Sequence, residues 1–194
     1  MIIDCHAHLV PQSWFHPKSP KWMFDLPHLF DEQDKSGVDL TVFGNNWIRS
    51  PDGYDPFKVV QEFNVHAAEL TAKHPKRLLG LACSVPYDSG PILKETEKAI
   101  REYKLKGIMI NSSTNGEYLD SPRATPFFEM VSDLNIPVFV HPPKFTIGNE
   151  KMEMYRLPEM LARAQRFNAR GGRERPVDTD FTASEKFDAL PENQ

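Results

Sequence analysis

Apolar residues recur along the chain in short, nearly continuous runs, separated by longer stretches with helical spacing. The runs are Ile2-Ile3, Leu40 to Gly44, Leu78 to Val85, Gly107 to Asn111 and Ile136 to Val140. Runs of this kind, apolar at successive rather than alternate positions, are expected of strands covered on both faces. Between them the pattern predicts four helices. One runs over about Leu29–Ser36, with Gly37 as its stop. The next starts at Asp55-Pro56 and holds Val59, Phe63, Ala67 and Leu70 on one face as far as Lys73. The others cover Pro91–Tyr103 and Ala124–Leu134. Glu95, Glu97, Lys98, Arg101 and Glu102 are expected to form a solvated charged face on the third helix. Strand–helix alternation repeated about five times argues for a parallel sheet. A (β/α)8 barrel has ~250 residues, whereas this chain has 194. The expected fold is therefore α/β: a partial TIM (β/α)8 barrel of about five β/α repeats over residues 1–160. A divergent, irregular and loose C-terminal tail follows over 161–194. Arginines recur there, and a helix is expected only over Leu157–Phe167.

Candidate chemistry sits where two of the apolar runs end. Ile2-Ile3-Asp4-Cys5 leads into His6-Ala7-His8, and Val138-Phe139-Val140 into His141. Strand residues i and i+2 share a face, so His6 and His8 project together. In a barrel the carboxyl ends of the strands converge on one rim, which would bring His141 to the same place. Three protein ligands plus an open position is the arrangement of a catalytic zinc or similar ion. Such an ion activates water or polarises a carbonyl or carboxylate. Trp14, Trp47 and Asn111 are the substrate-pocket candidates, because each lies in or just before a loop at that rim. The loop from Pro11 to Pro27 adds Phe15, Trp22 and Phe24. His66 and His74 read as structural or solvated. Cys5 adjoins His6 but points to the opposite strand face, which argues against a thiol nucleophile. Gly-x-Ser-x-Gly elbows and Walker phosphate loops do not occur.

Composition narrows this picture only slightly. The net charge of −4 gives no reason to invoke nucleic acid or a membrane surface as partner. A small-molecule substrate is expected instead. No apolar run approaches the ~20 residues of a membrane span. The two cysteines lie in apolar runs, which suits reduced thiols and a cytoplasmic location.

Ile3-Asp4-Cys5-His6-Ala7-His8 resembles the opening metal motif of the amidohydrolase superfamily. Two further stretches are similar to its amidohydrolase-related branch, which includes aminocarboxymuconate-semialdehyde decarboxylase and γ-resorcylate decarboxylase. They are Asn111 to Asp120 followed by Pro126-Phe127-Phe128, and Pro137 to Pro142. The resemblance covers residues 1 to about 160. It implies a metal-dependent TIM barrel that hydrolyses C–N or C–O bonds, or decarboxylates aromatic and related acids. The ion would be Zn2+ or another divalent metal such as Mn2+. His6, His8 and His141 match three of its ligands. The family pattern also has a histidine after the sixth strand and an aspartate after the eighth. This sequence has no histidine after His141. Asp180, in Val177-Asp178-Thr179-Asp180-Phe181, loosely resembles the aspartate segment. The implied function is a metal-dependent hydrolase or decarboxylase acting on a small carboxylic acid or cyclic substrate, impaired by truncation. The alternative is a catalytically inactive α/β fragment that serves as a binding or oligomerisation partner. A partial barrel leaves its first and last strands with open edges, so instability, or a homo-oligomer covering those edges, is expected.

Overall fold

The first two helices begin where an aspartate, Asp25 or Asp55, supplies a side-chain cap. The structure is a computed structural model and describes residues 1–17, 19–46, 55–88, 90–114 and 117–141. The order is β1 (Ile3–Ala7), α1 (Leu26–Ser36), β2 (Leu40–Phe43), α2 (Pro56–Lys73), β3 (Leu78–Gly80), β4 (Ala82–Cys83) and α3 (Pro91–Arg101). After these come β5 (Ile108–Asn111), β6 (Ser113–Thr114), β7 (Glu117–Tyr118), α4 (Thr125–Leu134) and β8 (Val138–His141). α1 starts three residues before the expected Leu29, because the Asp25 side chain accepts from the His28 N–H and Pro27 suits the first turn. Gly37, at φ 67°, ends it in the left-handed conformation that glycine adopts without strain. α2 follows the expected bounds, capped by Asp55.

Every pairing among β1, β2, β3, β4, β5 and β8 is parallel. The order is β1-β2-β3 in one sheet and β4-β5-β8 in the other. The run expected as a single strand from Leu78 to Val85 is divided between them. Leu81 N–H donates to Phe43 O of β2, and the next residue, Ala82, donates to Gly107 O before β5. One continuous stretch therefore hands the hydrogen bonding from one sheet to the other. Beyond the switch the buried side chain of Asn64, on α2, takes over the vacated edge. Its Oδ1 accepts from Cys83 N–H at 2.7 Å, and its Nδ2 donates to Cys83 O at 3.4 Å.

α2 packs on α3, β3 and β4. The core lies between helices and sheet, around Phe43, Val60, Phe63, Ile108, Ile110 and Phe127. Glu95 corrects the expectation of a wholly solvated face on α3: it is only 5% exposed. Its position faces α2 rather than water, and desolvation raises its pKa. The stretch after β5, expected as a loop, contains a two-stranded antiparallel hairpin in which Ser113 pairs with Tyr118 and Thr114 with Glu117. The boundary expected at residue 160, the helix over Leu157–Phe167 and the tail 161–194 lie outside the described residues. Among those described, β1, β2, β3, β4, β5 and β8 pair in parallel without barrel closure, and β6 and β7 stand apart as the antiparallel pair.

Candidate metal centre

β1 carries a bulge just where chemistry begins. Asp4 pairs with Thr41 but Ala7 with Phe43, so β1 uses one more residue than β2 over that interval. The Asp4 carboxylate stabilises the kink by accepting from the His6 N–H at 3.1 Å. Bulges re-aim side chains, and this one sets His6 beside His8. Their Nε2 atoms are 3.1 Å apart. His141, the last residue of β8, completes a triangle: ring centroids lie 4.9 Å apart for His6–His8, 4.9 Å for His6–His141 and 5.2 Å for His8–His141. The three rings offer ligand atoms that all lie within 4.8 Å of one another.

Burial deepens across the triangle, from exposed His6 through part-buried His8 to His141 at 4% exposure. Desolvation lowers the pKa of His8 to about 4; the bond to Gly44 opposes this, and the neighbouring rings of His141 and His6 add to it. His8 is therefore neutral at pH 7, as a ligand must be. Its Nδ1 lies 3.0 Å from the Gly44 carbonyl oxygen. A carbonyl only accepts, so the ring proton is on Nδ1 and the Nε2 lone pair faces His6. Backbone support of this kind fixes the orientation of a metal-bound imidazole. Two nitrogens at about 2.0–2.1 Å from a tetrahedral ion stand ~3.3 Å apart, close to the observed His6–His8 separation. The donor set fits a divalent ion.

Of the pocket candidates, Asn111 lies beside the triangle, bonded to Asn46, which in turn bonds His141. Trp14 lies instead against Phe63, at 6.3 Å between centroids. Trp47 and Asp180 fall outside the described residues. Among the described residues, the aromatic rings nearest these histidines are Phe139, 5.3 Å from His6, and Trp22, 6.4 Å from His8. Phe139 could have been found by the i+2 rule from His141. Asn46 had no such signal: its importance depends on a bond to a residue 95 positions away. A second cluster, His28, Asp31 and Glu32, lies exposed on α1, where Lys35 pairs with both carboxylates.

The family model described as Amidohydrolase matches residues 3–169. The chain belongs to the amidohydrolase family. Among curated amidohydrolase relatives, the 2-amino-3-carboxymuconate-6-semialdehyde decarboxylase of Dictyostelium discoideum is 27% identical over 195 residues, covering 82% of this chain and 53% of that protein. The chain thus spans about half the length of this relative. Among solved structures, the 5-carboxyvanillate decarboxylase of Sphingomonas paucimobilis superposes with a TM-score of 0.61 at 22% identity, over 73% of this chain and 51% of that one. The enzyme of the same name from Novosphingobium aromaticivorans gives a TM-score of 0.62 at 19% identity, over 73% and 51%. That structure holds manganese and 3-methoxy-4-hydroxy-5-nitrobenzoic acid. These likenesses extend to the amidohydrolase barrel fold, of which this chain matches about half. No helix among the described residues is long and apolar enough to cross a membrane.

Proposed function

We propose that this chain carries the metal centre of a decarboxylase acting on an aromatic or related small carboxylic acid. The supporting observation is the meeting of His6, His8 and His141, from the two outermost strands, within 4.8 Å. The names of the relatives favour carbon–carbon cleavage over hydrolysis. In this reading the three imidazoles hold Zn2+ or Mn2+. When bound, the ion anchors the substrate's oxygens and withdraws charge from them. Phe139 and Trp22 flank the histidines and would seat an aromatic ring, with Trp47 and Asn111 as further pocket candidates. Decarboxylation breaks the bond between the ring carbon and the carboxyl carbon. Carbon dioxide leaves, the electron pair stays on the ring carbon, and a proton must be delivered there. General acids typically contribute about 10²–10⁴-fold to such a step. No histidine follows His141 to fill that part. Glu117 and Asp120, after β5, are the acids in the neighbouring loop, but Glu117 is already engaged by Arg123 and Ser121. We therefore expect this chain alone to turn over slowly. A cytoplasmic location, with both thiols free, and self-association through the open edges of β1 and β8 belong to the same reading.

The test is carbon dioxide release by the Mn2+- or Zn2+-loaded chain from a panel of aromatic carboxylic acids, with His8→Ala as the blank. Weak, metal-dependent release above that blank is expected. Release equal to the blank, together with no Zn2+ uptake in calorimetry, would remove the reading.

A further inference from the structure

The hydrogen bonds behind His141 determine which of its nitrogens holds the ring proton. Asn111 Nδ2 lies 2.9 Å from the main-chain oxygen of Asn46. That oxygen can only accept, so the Asn111 amide nitrogen is the group on that side and donates to it. Asn111 Oδ1 then faces Asn46 Nδ2, at 2.9 Å, and also can only accept. Asn46 Nδ2 therefore donates to Asn111. The same nitrogen stands 2.8 Å from His141 Nδ1 and has a second hydrogen to offer. His141 Nδ1 is thus the acceptor, and in the neutral ring the proton sits on Nε2. This is the reverse of His8, whose proton is held on Nδ1 by Gly44. Asn46 itself is left incomplete: it is 5% exposed, and its buried Oδ1 has no hydrogen-bond partner among the described residues.

A cation needs a lone pair. On His141 the Nε2 lone pair is occupied by the proton, and the Nδ1 lone pair is taken by Asn46. We propose that Asn46, held by Asn111, is a latch on His141 that must turn over before this histidine can ligate. The inference rests on the metal-centre reading above. With the Asn46 carboxamide turned over, its unpartnered Oδ1 accepts from His141 Nδ1–H, and Nε2 presents a lone pair. No proton is gained or lost overall; one leaves Nε2 for solvent and one arrives at Nδ1. The turn breaks the Asn46–Asn111 bond, so the latch opposes cation binding in the unmodified chain. Asn46 is on this view a positioning residue, with His141 as the group it acts through.

Two measurements test the latch. In the metal-free chain at mildly alkaline pH, 15N NMR of the labelled rings should show His141 protonated on Nε2 and His8 on Nδ1. Finding His141 protonated on Nδ1 would overturn the proposal without any variant. Calorimetric titration with Zn2+ should then show tighter binding, by about tenfold or more, in both Asn46→Asp and Asn111→Ala. The first substitution leaves only acceptors facing His141. The second removes the acceptor that orients Asn46 and introduces no charge. Tighter binding in Asn46→Asp alone would reduce the effect to added charge and count against the latch, as would unchanged binding in both. Absence of Zn2+ binding in the unmodified chain and in both variants would instead remove the metal-centre reading and the latch with it.

Discussion

The inner strands and the outer strands of this protein do different work. β5, in the middle of its sheet, has Ile108, Met109 and Ile110 all at 0% exposure. β1 and β8, at the two ends, leave Ile3 41% and Val140 47% exposed. The candidate chemistry nevertheless resides on those outer strands. In a flat array, five strands spaced at about 4.8 Å would set the first and last roughly 19 Å apart. The His6 and His141 rings are 4.9 Å apart between centroids. Curvature of the array brings its least covered strands together at one point. The lesson is a division of labour: burial of the inner strands supplies the rigidity, and the outer strands present donors to an incoming group.

The contrast would break most visibly under charge. Ile110→Lys places an unpaired ammonium in the core, and a loss exceeding about 4 kcal/mol is expected, enough to unfold the chain. Val140→Lys should stay within about 0.5 kcal/mol. Urea titrations followed by circular dichroism measure both. If Val140→Lys proves equally damaging, another surface covers that edge, and the outer strand is not open in solution.

A smaller effect comes from His8 in the metal-free chain. Its folded pKa of about 4 lies below the ordinary 6.5, so between those values the unfolded chain binds more protons than the folded one. Stability from this group is full above pH 6.5 and is lost as pH falls through about 4. The loss is at most about 3 kcal/mol, and partial exposure reduces it. His8→Ala should flatten the decline in urea midpoint between neutral and acid pH. An undiminished decline would mean that His8 is as readily protonated as an exposed histidine.

The smallest perturbation is chemical labelling. Cys5, on β1, is exposed; Cys83, on β4, is buried, and desolvation pushes its thiol up to about 12. Iodoacetamide at neutral pH should label one thiol per folded chain, and peptide mapping should place it at Cys5. Rapid labelling of Cys83 would show that the inner strand opens as freely as the outer one.

Much of this was readable in the sequence because the signals are local. A helix reveals itself through the period of Val59, Phe63, Ala67 and Leu70 and through its cap at Asp55. Gly37 and the Asp25 cap belong to the same class. Asn115-Gly116, a dipeptide that favours tight hairpins, lies between β6 and β7 and could have announced their pairing. Other features had no local mark. The buried face of Glu95 looks like any charged helix position until α2 packs beside it. The bulge in β1 and the hand-over at Leu81 are differences in register between two strands, which neither strand states alone.

The sequence by itself determined the kind and order of the elements, and it placed histidines where strands end. Those properties follow from steric and hydrogen-bonding rules acting over a few residues. The tertiary structure decided that His141 meets His6 and His8, and that Asn46 and Asn111 stand behind it. Such meetings depend on curvature accumulated across several strands and on contacts between residues as far apart as 46 and 141. No short window of sequence contains both partners, so only packing could bring them together.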